Sequence, residues 1–137
     1  MVGKKHRKQY LQRMAKRTAL LTAVGIRLRM LRSVLNHSQA DWARALGITP
    51  QMLNRWEQGT RQPSIELLNL ICQSTGCTTD FIFRGQLGLD MGRDLREALL
   101  NAFASSPYVY LLPEQPPPVA ASSAEPRRRR RTKPKAR

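Results

Sequence analysis

Residues Ser38–Gly59, SQADWARALGITPQMLNRWEQG, carry the strongest local signals in this 137-residue chain. Ser38 is suited to cap a helix, because its hydroxyl can accept a hydrogen bond from a free backbone amide of the first turn. Gly47 falls where that helix must end, since a left-handed conformation costs glycine little. Thr49 can cap a second helix, and Pro50 fits its first position, where no amide donor is needed. The stretch therefore predicts two short helices joined by a tight turn.

Two caps and one glycine within a dozen residues are typical of a helix-turn-helix. In its first helix, the spacing places Trp42, Ala43 and Leu46 on the inner side. Ala43 must be small, because two helices that cross closely leave no room for a larger side chain. In its second helix, Leu53 and Trp56 lie one turn apart and fix the inner face. Four polar side chains are left facing outward: Gln51, Asn54, Arg55 and Gln58.

The formal net charge of +15 is spread unevenly along the chain. Residues 1–40 carry +10, residues 41–112 carry −1, and residues 113–137 carry +6. A basic excess at both ends indicates a polyanionic partner, and it predicts binding that weakens steeply with salt.

No group of residues points to catalysis, a metal or a cofactor. Cys72 and Cys77 lie in a largely apolar neighbourhood and are predicted to be reduced core thiols. The two histidines lie far from them in sequence, so no zinc set forms, and there is no glycine-rich phosphate loop. No apolar run approaches the roughly 18 residues that a membrane span needs. We expect no enzyme and no membrane role, but a cytoplasmic, nucleoid-associated protein.

Composition divides the chain into four segments. Residues 1–21 form a basic N-terminal arm with too few apolar residues to bury, which we expect to be mobile, with a helix after Tyr10 as the alternative. Residues 22–86 form the helix-turn-helix domain, and residues 87–112 an amphipathic helical extension. Residues 113–137 are a Pro-rich linker followed by an Arg/Lys-rich tail that we expect to be disordered.

Helical spacing predicts the remaining elements of the domain. The first helix is expected over residues 22–36, with Arg27 and Arg29 on its solvated side. Its inner face is expected to hold five apolar residues: Ile26, Met30, Leu31, Val34 and Leu35. A fourth helix is expected between the cap Ser64 and the stop Gly76, and a fifth over residues 79–83.

The extension after the domain leaves two alternatives open. Residues 89–104 carry one apolar stripe, which either packs on the domain or forms a dimer seam, because a stripe alone does not define its partner. Within the fourth helix, Ile65 is placed on the apolar face. Residues 108–112 are a short apolar run that we interpret as one strand.

Residues 26–84 resemble the Cro and phage-repressor type of helix-turn-helix domain, also called the XRE family. The resemblance covers somewhat under half of the chain. It is carried by these residues: Arg32, Ser38-Gln39, Ala43, Gly47-Ile48, Leu53, Trp56-Glu57-Gln58-Gly59, Pro63-Ser64 and Gly76. It implies an all-α fold, a compact five-helix repressor-like domain, to which this chain adds an extra C-terminal helix and basic, largely disordered ends.

The resemblance also implies how DNA would be bound. The recognition helix, Thr49–Gln58, would lie in the major groove with its N-terminal residues at base edges. Gln51 and Arg55 would read bases, because an amide can pair bidentately with adenine and a guanidinium with guanine. Pro50 stands where relatives often carry a base-reading glutamine, so that contact is lost or becomes apolar contact with a thymine methyl. Gln39 matches a glutamine that binds backbone phosphate and braces the recognition helix.

Other residues of the resemblance have positioning or structural roles. Glu57 is expected to pair with Arg32 across the first and third helices. Asn54, Gln58 and Arg61 are expected at the phosphate backbone, where contacts position without specifying sequence. The complete predicted DNA-binding set is Ser38, Gln39, Thr49, Pro50, Gln51, Asn54, Arg55, Gln58 and Arg61. The complete predicted structural set is Arg32, Ala43, Gly47, Leu53, Trp56, Glu57 and Gly59.

Three functions follow as hypotheses. The first is a sequence-specific regulator of bacterial or phage type, repressor-like, which binds double-stranded DNA as a homodimer on a roughly two-fold operator. The second is an antitoxin-like interaction module, in which residues 89–112 hold a protein partner and DNA binding is secondary. The third is a low-specificity architectural binder that uses both basic ends on phosphate.

Overall fold

Helices make up every regular element of residues 3–112, the part of the chain that this computed structural model describes. The elements are α1 (Gly3–Val34), α2 (Gln39–Leu46), α3 (Pro50–Glu57), α4 (Ile65–Thr75), α5 (Thr79–Arg84), α6 (Arg93–Ala104) and a 3₁₀ helix (Val109–Leu111). The predicted all-α class, with five helices and a sixth after them, is confirmed. The linker and tail predicted over residues 113–137 lie outside the described residues.

The predicted helix boundaries rest on local hydrogen bonds. The hydroxyls of Ser38, Thr49 and Ser64 each accept a hydrogen bond from the amide three positions further on, at 3.1, 3.2 and 3.3 Å. Gly47 and Gly76 end α2 and α4 in the left-handed conformation, with φ of 71° and 76°. These predicted caps and stops are therefore confirmed.

One apolar core joins all six α-helices. The inward residues predicted for α2 and α3 are buried, as are side chains from each of the other helices. The largest fully buried side chains are Phe81, Phe103, Leu28, Leu31, Leu53, Ile71, Ile82 and Leu99. Phe81 of α5 and Phe103 of α6 meet edge to face, with ring centroids 6.0 Å apart. The inner stripe of α6 is therefore packed on the domain within this chain.

The predicted start of the first helix near Thr22 is wrong. α1 begins at Gly3 and runs without a break for 32 residues. Residues 3–20, here called the arm helix, are exposed throughout, so burial did not decide their conformation. Lys, Arg, Gln, Leu and Ala predominate there and are good helix formers, and the segment holds no proline. The arm helix is about 27 Å long at 1.5 Å per residue.

The solvated face predicted for the first helix is wrong at Arg27. This residue is only 6% exposed, because α5 and the 3₁₀ helix cover that side of α1. Leu28, which was not among the predicted inner residues, is fully buried. The inner face therefore differs from the predicted one, since segments far along the chain, rather than periodicity alone, select it.

Two further predictions are wrong. Ile65 is 81% exposed, because it is the first residue of α4 and lies where the helix leaves the core. Residues 108–112 contain a 3₁₀ helix instead of a strand. The amides of Leu111 and Leu112 bond to the carbonyls of Tyr108 and Val109, at 2.9 and 3.1 Å, and no strand in residues 3–112 could pair with this run.

Candidate nucleic-acid interface

The recognition helix α3 presents its polar side chains to solvent on one face. Gln51 and Arg55 are exposed and together are here called the reading face, and Gln58, which caps the C-terminus of α3, is also exposed. Leu53 and Trp56, on the opposite side, are 0% and 2% exposed. The burial of one side thus fixes which side of this eight-residue helix faces outward.

The N-terminus of α3 is also open. Thr49 caps it through the amide of Met52, and Pro50 occupies the first turn and is exposed. Both lie where the resemblance places residues nearest the base edges. Because proline has no amide hydrogen, Pro50 offers only apolar contact there.

Gln39 joins the beginning of α2 to α3. Its Nε2 donates to Asn54 Oδ1 at 3.3 Å and to the carboxylate of Glu57. Asn54 is therefore half-buried and not fully outward as predicted. The bracing role expected for Gln39 is consistent with both contacts, and the amide of Asn54 keeps its donors for a ligand.

The predicted pair between Arg32 and Glu57 is confirmed. Arg32 Nε lies 2.5 Å from Glu57 Oε1, and Arg32 Nη2 lies 3.4 Å from Oε2. Arg32 Nη1 also donates to the carbonyl of His37 at 3.0 Å. The Glu57 side chain is only 4% exposed, so hydrogen bonds from Arg32 and Gln39 replace the water that would otherwise stabilise its carboxylate.

Ser38 and Arg61, which were predicted to flank the recognition helix at the phosphate backbone, take part in local hydrogen bonds. The hydroxyl of Ser38 accepts the hydrogen bond that caps α2. Arg61 is exposed in the loop after α3, and its amide bonds to the carbonyl of Arg55 at 3.3 Å. Thr60 bonds to the same carbonyl through both its amide and its hydroxyl, so this loop is anchored to the end of the recognition helix.

Gly25 supports the interface but was not among the predicted residues. A Cβ added there would collide with the carbonyl of Trp56 and lie 2.6 Å from that of Glu57. A Cβ added at Gly59 would lie 2.8 Å from Thr22 Cα, and Gly59 also has a φ of 74°. The last turn of α3 therefore rests directly on the backbone of α1. The sequence feature that could have identified Gly25 is its position inside a helical pattern, because a glycine there often marks close packing.

Arg27 was also missed, and it serves a different part of the fold. Its Nη1 donates to the carbonyl of Ile82 at 3.1 Å, and its Nη2 to that of Leu111 at 2.8 Å. Within residues 3–112, its Nε has no hydrogen-bond partner. Burial lowers the pKa of this guanidinium below its usual value. Arg27 thus ties α1 to the last turn of α5 and to the 3₁₀ helix, away from the reading face.

The chemistry of the remaining candidate groups is limited. Over residues 3–112, no cluster of three or more His, Cys, Asp or Glu side chains could hold a metal ion, and no helix is long and apolar enough to cross a membrane. Cys72 and Cys77 are both free thiols. Burial raises the pKa of Cys77 to about 12, so its thiolate is scarce at neutral pH.

Comparison with known proteins agrees with this geometry. Residues 28–82 match the family model described as Helix-turn-helix. This segment runs from the second half of α1 into α5 and includes both helices of the motif. Residues 28–82 are therefore a helix-turn-helix domain of the XRE type, a class of DNA-binding regulatory domain, and the resemblance found in the sequence is confirmed.

Among curated proteins, the chain is similar to Antitoxin PezA of Streptococcus pneumoniae serotype 4 (strain ATCC BAA-334 / TIGR4). The two are 38% identical over 50 residues, which cover 36% of this chain and 32% of the relative. The chain thus spans about a third of the length of the curated relative that it matches. No solved structure matches the chain.

Proposed function

We propose that this protein is a sequence-specific regulator that binds double-stranded DNA with α3 in the major groove. The observation that carries the proposal is the reading face on α3, which stays exposed while the opposite side of the helix is buried. The major groove admits an α-helix and displays a distinct donor and acceptor pattern for each base pair. A braced helix with outward polar side chains suits this form of recognition.

Arg55 and Gln51 are the proposed base-reading residues. The side chains of both are exposed, so their hydrogen-bond donors are accessible to a ligand. Arg55 can bond guanine O6 and N7 with two of its five donors, and Gln51 can bond adenine through both atoms of its amide. They lie one turn apart, which allows each to contact a different base pair.

The flanking residues are proposed to hold the phosphate backbone. Gln58 and Arg61 are exposed at the C-terminal end of α3, and Ser38 and Gln39 lie at the N-terminus of α2. A helix N-terminus attracts anions, because its backbone amides and dipole point toward them. These contacts would set the register of α3 without reading sequence.

We further propose that the protein binds as a homodimer on a two-fold site. A single eight-residue recognition helix contacts few base pairs, and a second copy one helical turn away doubles the sequence that is read. Residues 89–112 keep Leu89 and Leu100 exposed, at 91% and 43%, beside the packed inner face of α6. This outer face is the surface that we propose for a second copy.

The test is selection of bound sequences from random DNA at stated salt, followed by footprinting. Arg55→Ala should weaken binding to the selected site by about 1–3 kcal/mol and relax one base position. Gln51→Ala should relax a different position. Arg84→Ala is the matched control, because Arg84 is an exposed arginine of α5 outside the reading face. Equal affinity for every duplex would contradict the proposal and favour the architectural binder.

An antitoxin-like module is the second candidate, and the similarity to Antitoxin PezA favours it. In this case residues 89–112 would hold a protein partner, which the name of the relative suggests to be a toxin. A stable hetero-complex that survives removal of residues 1–20 would support this candidate. A protein that binds only its selected DNA and copies of itself would contradict it.

A further inference from the structure

The arm helix, residues 3–20, is the most strongly charged element that the structure describes. It contains no acidic residue, and all of its side chains are exposed. Its seven Lys and Arg residues are Lys4, Lys5, Arg7, Lys8, Arg13, Lys16 and Arg17. By contrast, residues 41–112, which contain the reading face, carry a net charge of −1. The charge that would attract a polyanion therefore lies largely outside the helix that reads it.

The cations lie on opposite sides of the arm helix. Lys4 and Lys8 are one turn apart on one side. Arg13 lies nine residues after Lys4, and Arg17 lies nine residues after Lys8. Nine residues are two and a half turns at 3.6 residues per turn, so the two arginines lie on the opposite side of the helix from the two lysines. A flat anionic surface could contact only one of these rows. A groove with phosphates along both walls could contact both.

The electrostatics within the arm helix are unfavourable without a partner. Lys4 and Lys8 form a like-charge pair at i,i+4, and Arg13 and Arg17 form another, and such pairs destabilise a helix. The first turn contains two lysines and no acidic residue, although this end of a helix dipole favours anions. Phosphates placed along the arm helix would remove both penalties.

The arm helix leaves the domain beside the end of the recognition helix. The backbone of Thr22 lies against Gly59, and Arg17 shares a small groove with Pro63 of the loop after α3. Arg61, a proposed phosphate contact, is exposed in the same loop. α1 is unbroken between its crossing with α3 and the arm helix, so the arm helix projects in a direction that is fixed relative to the reading face.

We propose that the arm helix is a second DNA-binding element, which lies in a groove of the duplex next to the segment that α3 reads. This inference rests on the proposed function and assigns the flanking duplex as a further ligand. A helix is 10–12 Å across, and the major groove is about 12 Å wide. A length of about 27 Å corresponds to about eight base pairs at 3.4 Å each.

A membrane surface is a poor alternative ligand. Interfacial helices bury one broad apolar face, whereas Tyr10, Leu11 and Met14 of the arm helix form only a short apolar patch that Arg7 shares. Leu20, nine residues after Leu11, lies on the opposite side from it. An RNA duplex is also disfavoured, because the major groove of A-form RNA is deep and narrow. Cations on opposite sides, with only a short apolar patch between them, fit B-form DNA best.

The test uses the full chain and the duplex selected for the proposed function, with long flanks. Two double variants each remove one row of cations: Lys4→Gln with Lys8→Gln, and Arg13→Gln with Arg17→Gln. Each should flatten the slope of log Kobs against log salt by about 1.8, since each phosphate contact contributes about 0.9. Arg29→Gln with Arg84→Gln is the charge-matched control and should leave the slope unchanged, because both arginines are exposed and lie outside the reading face, the arm helix and the surface proposed for a second copy. A slope that responds to only one row would overturn binding in a groove.

A second pair of variants tests whether the helix itself is needed. Leu11→Pro keeps every cation but interrupts the helix, whereas Leu11→Ala preserves it. Leu11→Pro should lose footprint protection beside each half-site of the two-fold site, up to about eight base pairs at each, while Leu11→Ala should match the wild type. A full-length footprint in Leu11→Pro would show that the cations do not act as a helix and would overturn the inference.

Arg55→Ala on the same duplex separates failure of this inference from failure of the proposed function. If a discrete site depends on Arg55 but the arm variants match the wild type in slope and footprint, only the arm inference is overturned. If no discrete site is protected, the proposed function fails, and the arm inference fails with it. Competition by an RNA duplex as strong as that by DNA would overturn DNA as the ligand.

Discussion

Among single residues, Glu57 determines most of the geometry behind the reading face. Its carboxylate accepts hydrogen bonds from Arg32 of α1 and Gln39 of α2, so one side chain of α3 connects three helices. A carboxylate this deeply buried is tolerated because charged and polar donors replace the water that it has lost. The orientation of α3 therefore depends on a polar contact as well as on apolar packing.

Glu57→Ala should lower the free energy of unfolding by about 3–5 kcal/mol, because it leaves the Arg32 guanidinium without its counter-ion. Urea unfolding followed by the fluorescence of the buried Trp42 and Trp56 measures this change. Glu97→Ala is the control: the Arg93–Glu97 pair is exposed, so its loss should cost only a few tenths of a kcal/mol. An unchanged unfolding midpoint for Glu57→Ala would contradict the structural role of the pair.

The double variant Arg32→Met with Glu57→Met extends this test. It leaves no charge unpaired and keeps side chains of similar volume, so it should be clearly more stable than Glu57→Ala. A double variant as unstable as the single one would show that the lost stability comes from packing or from Gln39 and not from the unpaired charge.

Between helices, the closest approach is the crossing of α1 and α3 at Gly25. The carbonyls of Trp56 and Glu57 occupy the space in which a side chain at this position would begin. The end of the recognition helix is thus set by backbone contact, which is less adaptable than contact between side chains.

Gly25→Ala should lower the free energy of unfolding by about 1–3 kcal/mol, although alanine is the better helix former by about 1 kcal/mol. It should also weaken binding to the selected duplex, because α3 must shift to make room. Gly3→Ala in the same helix is the control, since a Cβ there meets nothing within 4 Å. Higher stability in Gly25→Ala would disprove the close crossing.

Arg27 provides a second connection between elements, from α1 to α5 and the 3₁₀ helix. Arg27→Met should keep most of the packing but lose both hydrogen bonds, to Ile82 and Leu111. We expect faster amide hydrogen exchange at Leu111 and Leu112, with little change in α3. Global stability should change less than in Glu57→Ala, since removing a buried charge offsets part of the loss. Unchanged exchange at Leu111 would show that the 3₁₀ helix does not depend on Arg27.

Across the chain, we propose that different segments provide affinity for DNA and discrimination between DNA sequences. The reading face lies in a region of net charge −1, while residues 1–40 and 113–137 carry +10 and +6. Phosphate contacts by the ends would raise affinity for every duplex, whereas Gln51 and Arg55 would discriminate between sequences.

Deleting residues 127–137, which contain eight Lys and Arg residues, should weaken binding to all duplexes and flatten the salt slope. The ratio of affinities for the selected and random sequences should stay the same, because phosphate contacts carry no sequence information. Binding measured over a salt series on both duplexes tests this prediction. A slope equal to that of the full chain would show that the tail does not contact DNA.

Local signals in the sequence were enough to predict the motif and its outward face. The caps Ser38 and Thr49 and the stop Gly47 depend on backbone groups within a few residues, so they can be recognised without the fold. The pairing of Arg32 with Glu57 was predicted only through the family resemblance, because 25 residues separate the two.

The start of α1 was missed for a different reason. The prediction required an apolar face to bury, whereas the arm helix forms by propensity, continuous with a packed helix. The expected exposure of this charged segment therefore did not predict its conformation. The direction of the arm helix relative to α3 depends on the crossing of α1 and α3 at Gly25.

Only the tertiary structure showed three features of the fold: the burial of Arg27, the close backbone contact at Gly25 and the 3₁₀ helix at Val109–Leu111. Arg27 bonds to residues 55 and 84 positions further along the chain, and no pattern within α1 indicates either partner. Capping and amphipathic spacing are set by neighbours in sequence, so residues 38–59 alone define the recognition motif. The position of that motif on α1 depends on contacts between distant segments, and these form only when the chain has folded.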